Sequence, residues 1–268
     1  MADFQYKFIK SRGNEYMKVT YIHHSSFCVE AEGKVFVFDY YDGKGVPGCE
    51  YHGKIPEFSQ ETPVYVFSSH SHRDHFSKEV LDFSRRYENI HYIFAKEVKK
   101  KLGSSVFKRM GLGEEVREKI TYVKPRETYK VGEVTVETLL STDSGVAFLV
   151  SFCGKTIYHA GDLNWWGWEE ESDVFNRYQE ATYKQQINLL RDRQIDLSFV
   201  VADPRLGKNQ FLGLDYFMEQ VRTGYVIPMH LWKHYELVQE YLGLPGHRKF
   251  AERILAVKEE NQVLYVNA

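Results

Sequence analysis

Apolar residues along this chain fall into short runs separated by Gly, Pro, Asp and Asn, the punctuation of strands and turns. The spacing predicts strands over residues 18–23, 26–31, 34–38, 63–67, 90–94, 120–123, 134–140, 146–152, 155–159, 197–201 and 225–227. Glu32-Gly33, between the second and third, reads as a tight hairpin turn. Helical spacing predicts helices over 78–87, with Ser77 capping the first turn, and over 173–193 behind Ser172. Further helices are predicted over 96–102, 216–222 and 247–259. Early hairpins followed by mixed strands and helices predict an α/β class, two packed sheets with helices on the outer faces. No low-complexity linker or internal repeat interrupts the pattern.

Composition agrees with one sizeable domain over residues 1–268, since 43% of the chain is hydrophobic and 15% aromatic. A formal net charge of -2 argues against nucleic acid or an anionic membrane as partner, without removing nucleic acid altogether. The first residues lack the layout of a secretory signal, and no run reaches the apolar length of a membrane helix. Cys28, Cys49 and Cys153 are widely separated and read as reduced, mostly buried thiols, so a cytoplasmic location is expected. A homo-oligomer is compatible with all of this.

The chemistry is concentrated in His70-Ser71-His72-Arg73-Asp74-His75, directly after the apolar segment Val64-Tyr65-Val66-Phe67. Alternation along an extended chain would put His70 and His72 on one side. The turn that follows would aim Asp74 and His75 at a neighbouring position. Imidazoles with a carboxylate suit zinc, iron or manganese, and so many ligands in so short a span suit two metals better than one.

The run resembles the His-x-His-x-Asp-His signature of the metallo-β-lactamase superfamily, mostly two-metal hydrolases with an αββα sandwich fold. Four more segments resemble that family in the order it requires. Tyr21-Ile22-His23-His24-Ser25-Ser26-Phe27 is similar to its early strand and Gly-His-Ser turn, with His23 where glycine is common. Val35-Phe36-Val37-Phe38-Asp39 is similar to the strand ending in aspartate. Thr156-Ile157-Tyr158-His159-Ala160-Gly161-Asp162 resembles the strand carrying the bridging carboxylate. Val226-Ile227-Pro228-Met229-His230 resembles the last strand, which ends in a histidine ligand. One departure stands out, because Asp143 lies where the family usually offers histidine. As a ligand it would shift preference from zinc toward manganese or iron; as a neighbour it would orient a ligand.

The resemblance implies that His70, His72 and Asp143 hold a first metal, that Asp74, His75 and His230 hold a second, and that Asp162 bridges. It implies two divalent ions, zinc foremost and manganese or iron as alternatives, with a metal-bound hydroxide as nucleophile. Asp74 would also hydrogen-bond that hydroxide, and His24 would contact the substrate or donate a proton, unless it is a packed histidine. The expected activity is hydrolysis of a small-molecule lactone, ester or phosphodiester, similar to the ascorbate-6-phosphate lactonase branch. The alternatives are a ribonuclease Z-like nuclease or phosphodiesterase and a metal-binding pseudoenzyme. A penicillin-destroying enzyme and a diiron electron-transfer protein fit the signature less well.

Other residues offer weaker signals. Trp165, Trp166 and Trp168 either wall the pocket or plug the core. Arg205 and Lys208 are candidates for an anionic substrate group, and His234 for reaching the pocket from helical spacing after His230. His159, inside a strand, reads as a core or supporting residue. The irregular 39–62 segment reads as a lid or pocket rim, and the lysines of 96–101 as a solvated helix face.

Overall fold

The strand that precedes the histidine run, β4 (Val64–Ser68), is buried at every position, as is its parallel neighbour β3 (Lys34–Phe38). Their continuous apolar sequence has a simple cause. Side chains alternate faces: Phe36, Phe38, Tyr65 and Phe67 enter one core, while Val35, Val37, Val64 and Val66 enter another. Both faces are covered, as is usual for parallel strands.

The computed structural model describes residues 16–44, 46 and 50–267. Its remaining strands are β1 (Tyr16–His23), β2 (Ser26–Ala31), β5 (Ile90–Ala95), β6 (Ile120–Val123), β7 (Thr128–Val131), β8 (Val134–Leu140), β9 (Val146–Phe152), β10 (Lys155–His159), β11 (Gln194–Val201), β12 (Arg222–Met229) and β13 (Val263–Asn267). They form two mixed sheets, ordered β13-β1-β2-β3-β4-β5-β6 and β12-β11-β10-β9-β8-β7. Each sheet runs antiparallel through its hairpins and then parallel, from β3 to β6 in the first and from β10 to β12 in the second. The two halves therefore repeat one topology that was not visible as repeated sequence. Aromatic pairs join the sheets: Phe27 stacks on Phe199 at 4.1 Å and Phe36 meets Phe152 at 4.4 Å between ring centroids. In the β2–β3 hairpin, Glu32 and Gly33 both take positive φ, as a type I′ turn requires.

The α-helices are α1 (Ser104–Met110), α2 (Glu114–Glu118), α3 (Asp173–Asn188), α4 (Leu212–Gln220) and α5 (Leu237–Gly243). Ser172 caps α3 by accepting the Phe175 N–H at 3.2 Å. Several predicted elements are corrected. Lys78–Arg85 and Lys96–Lys101 are 3₁₀ helices, and Ser77 does not cap the first; its hydroxyl accepts the Asp42 N–H instead. The helix predicted over 247–259 is a single 3₁₀ turn, His247–Phe250. Beyond it the chain extends along β12, with Val226 exchanging backbone hydrogen bonds with Arg253 and Leu255. Phe250, Ile254 and Val257 thus owe their shared burial to tertiary pairing, although their spacing mimics a helix face. Cys28 is buried but Cys153 is exposed, and Cys49 lies outside the described residues. No helix among the described residues is long and apolar enough to cross a membrane.

Candidate metal centre

The carboxyl ends of the parallel strands β3, β4, β10, β11 and β12 gather at one edge of the sandwich, where open α/β sheets commonly place their sites. Asp39, Asp162, Asp203 and His230 follow β3, β10, β11 and β12, and the histidine run follows β4. The turn between β1 and β2 adds His24, and the connection from β8 to β9 adds Asp143.

Three groups of ligand-type atoms form there, each set within 4.8 Å of one another, and the third, Asp39, His70 and His75, shares its histidines with the other two. The first is His70, His72, Asp143 and Asp162. His70 Nε2 lies 3.3 Å from Asp162 Oδ2, and His72 Nδ1 lies 3.5 Å from Asp143 Oδ2. The second is His24, Asp74, His75 and His230. Here Asp74 Oδ2 lies 3.5 Å from His24 Nε2 and 3.9 Å from His75 Nε2. Asp162 faces both groups, because its Oδ1 is 3.2 Å from His75 Nε2 and 3.5 Å from His230 Nε2. The two groups differ in exposure: the side chains of His72 and Asp143 are 52% and 45% exposed, whereas those of His24 and His75 are wholly buried.

Buried partners set the tautomers. His75 Nδ1 donates to Asp39 at 2.8 Å and His230 Nδ1 to Asp203 at 2.9 Å. His70 Nδ1 donates to the Ser69 hydroxyl at 2.9 Å, which in turn donates to Asp39 at 2.6 Å. For His70 and His230 the proton on Nδ1 leaves Nε2 facing inward as a ligand atom, and His75 is aimed the same way, its Nε2 lone pair becoming available once a cation displaces the proton there. Asp203 is further clasped by the Arg205 guanidinium and by the Trp232 indole N–H.

These atoms fit a cation. Nε2 of His24, His70, His75 and His230, together with Oδ1 of Asp162, are buried without a hydrogen-bond partner. An unsatisfied buried polar atom costs about 1–3 kcal/mol, so five converging ones describe a cradle for positive charge. Ionisation points the same way. Burial opposes charge on Asp162, yet the imidazoles of His75, His70 and His230 hold its pKa well below the carboxylate range. Burial likewise opposes charge on His75, but Asp162 and Asp74 hold its pKa well above the ordinary histidine value. Burial, helped by His230, pushes His24 down to about 3.

The backbone is shaped to the task. His24, Asp39 and His230 all have positive φ, an uncommon state for residues with a side chain and one that concentrates at functional sites. Gly145, at φ +69°, lets the loop carrying Asp143 approach β4: a Cβ there would sit 1.9 Å from the Ser69 carbonyl oxygen.

Not every candidate joins the cluster. His234 is 57% exposed and pairs with Glu236 at 3.0 Å. Trp165 lies under Lys184, whose Nζ is 4.4 Å from the ring centroid, while Trp166 packs against His230 at 5.8 Å and stacks on Trp168. Arg205 stacks between Trp168 and Trp232, and Lys208 pairs with Glu169. His159 donates through Nε2 to Ser25 O and accepts the Gly161 N–H at Nδ1, a wholly structural use. From the 39–62 segment, Tyr51 brings its hydroxyl to 3.4 Å from His24 Nδ1, which makes it part of the wall. Asp203 had the same sequence signal as Asp39, a carboxylate closing an apolar strand, and sequence reasoning missed its part.

A family model for the β-lactamase superfamily domain matches residues 18–173. A UPF0173 metal-dependent hydrolase of Methanosarcina barkeri is 26% identical over 154 residues, 56% of this chain, and the match spans only 63% of that relative. Among solved structures, Igni18, a metallo hydrolase of Ignicoccus hospitalis, superposes with a TM-score of 0.61 at 13% identity, covering 94% of this chain and 99% of its own. CmlA, a diiron β-hydroxylase of Streptomyces venezuelae, superposes at 0.58 and 14% identity, covering 92% of this chain and 54% of its own. These two share the sandwich. With more than half its length matched by the family model, and both sheets and the strand-end cluster in place, the chain belongs to the β-lactamase superfamily.

Proposed function

We propose that this protein is a metal-dependent hydrolase with a dinuclear centre that acts on a small-molecule lactone, ester or phosphodiester. The observation that carries this reading is the set of five buried, unpartnered ligand atoms converging from three strand ends and one turn. His70, His72, Asp143 and Asp162 would hold one ion, and Asp74, His75, His230 and Asp162 the other, with His24 close enough to join the second set. Bound there, two divalent ions would supply a nucleophilic water at neutral pH and would stabilise a developing oxyanion.

The chain's own groups do the rest. Asp74, whose side chain is 20% exposed, reaches both the cluster and solvent, so it can accept a hydrogen bond from an attacking water and orient it. Asp39 and Asp203 keep the His75 and His230 rings aimed through Nδ1. Trp166 and Tyr51 exclude water from the His24–His230 side. No Ser or Cys nucleophile is required. The relative from Methanosarcina and Igni18 are both described as metal-dependent or metallo hydrolases, which supports the same reaction class.

The test is elemental analysis after loading with zinc, manganese or iron, joined to turnover of bis-p-nitrophenyl phosphate and a panel of lactones. About two equivalents and chelator-sensitive hydrolysis are expected, and the double variant His70→Ala/Asp162→Ala should lose both together. Turnover retained in that variant would sink the mechanism. Less than one equivalent after loading would point to a pseudoenzyme.

A further inference from the structure

The exposed half of the metal centre adjoins a cavity of about 740 Å³, a size that suits a small organic ligand. Its walls come from both sheets. Val123, Pro125, Leu140 and Val146 give it an apolar interior. Lys96, Lys99 and Lys100 line it as well. Lys99 lies over the Tyr122 ring at 5.5 Å, and among the described residues none of the three lysines has a carboxylate within ion-pair distance.

The cavity touches the site through two residues. Gly145, in its lining, packs against the Ser69 carbonyl and the His70 Cβ. Glu97, also in its lining, accepts the N–H of Ser71, between His70 and His72, at 3.0 Å. Three ammonium groups against the single Glu97 carboxylate give the lining a net positive charge. An apolar interior with unpaired ammonium groups is complementary to an organic acid with a hydrocarbon or aryl body.

We propose that this cavity is the substrate subsite, taking the apolar body and a carboxylate or phosphate of a small amphipathic acid whose scissile bond lies at His72 and Asp143. The inference rests on the hydrolase reading for the word substrate, while the binding it describes stands on the cavity alone. Lys96 and Lys100 are specificity residues here and bear no part of the metal centre.

Calorimetric titration of the metal-loaded protein with octanoate and with octanol tests it. Octanoate should bind at least about tenfold more tightly than octanol, an increment expected of one or two charge-assisted contacts. The exposed double substitution Lys96→Ala/Lys100→Ala should erase that preference with octanol affinity and circular dichroism unchanged, and Lys96→Arg/Lys100→Arg should restore it. Octanoate affinity that survives the alanine pair would place the carboxylate on the metals and overturn the proposal, as would no binding to the unaltered protein. Binding that behaves as expected, beside a complete absence of lactone, ester and phosphodiester turnover, would keep the subsite and reject the hydrolase.

Discussion

The Asp203 carboxylate accepts the His230 Nδ1–H at 2.9 Å while Arg205 grips it through Nε and Nη2. Burial alone would raise the pKa of Asp203, but these two donors hold it far below the carboxylate range, so it stays a fixed acceptor. Asp203→Asn keeps the shape and loses the charge, and its amide can present N–H to the imidazole and reverse the tautomer. Metal affinity or turnover should fall roughly 10–100-fold, the usual cost of losing such a supporting group. Metal titration followed by kinetics checks this. A variant with unchanged affinity and rate would show that His230 needs no orienting partner.

The uneven exposure of the two ligand groups predicts uneven metal release. His72 and Asp143 face solvent while His24 and His75 do not, so a chelator should strip the first ion well before the second. Stepwise loss in a timed chelation, with elemental analysis at each stage, is the expected result. Asp143→His should slow the early phase and move preference from manganese or iron toward zinc, because imidazole is the softer ligand. Synchronous loss of both ions from the unaltered protein would contradict this order.

Much of this site was legible in the sequence because its residues close apolar strands, and strand ends are where a sandwich collects them. His70, His72, Asp74, His75, Asp162 and His230 all follow this rule and all converge. Distances across the fold were not legible. His24, expected near the site only from the resemblance, joins the second group because the β1–β2 turn brings its ring to 4.1 Å from that of His230, an approach that no local spacing encodes. His234 shows the reverse failure: helical spacing after His230 placed it near the pocket, but the chain turns and leaves it beside Glu236. Edge strands β7 and β13 were missed since exposed, mixed-polarity residues such as Tyr265 carry little strand signal.

Gly145 allows a sharp test of the loop that bears Asp143. Alanine there would have to keep φ at +69° and place its Cβ 1.9 Å from the Ser69 carbonyl oxygen, so the loop must move. Positive φ alone costs a residue with a side chain about 1–3 kcal/mol, and the clash adds to it. Gly145→Ala should lower the melting temperature by roughly 5 °C or more and weaken the first metal more than the second. A variant with wild-type melting and metal content would mean that the loop is loose around Gly145.

His75 ties stability to pH with a definite sign. In the metal-free protein Asp162 and Asp74 raise its pKa well above the ordinary value, so the folded state binds a proton that the unfolded chain releases near pH ~6.5. A raised folded pKa stabilises fully below that pH, and the contribution disappears as pH rises through the folded value. The carboxylates are ionised in both states across this window. His23, His24, His91 and His159, whose pKa values burial lowers, act instead as pH falls below it. Chelated protein should therefore lose denaturant resistance as pH climbs from about 6.5, and added zinc should abolish the slope by replacing the proton. Calorimetry of zinc loading in buffers of different ionisation enthalpy should register proton release. Rising stability of the chelated protein over the same window would show that His75 carries no such proton.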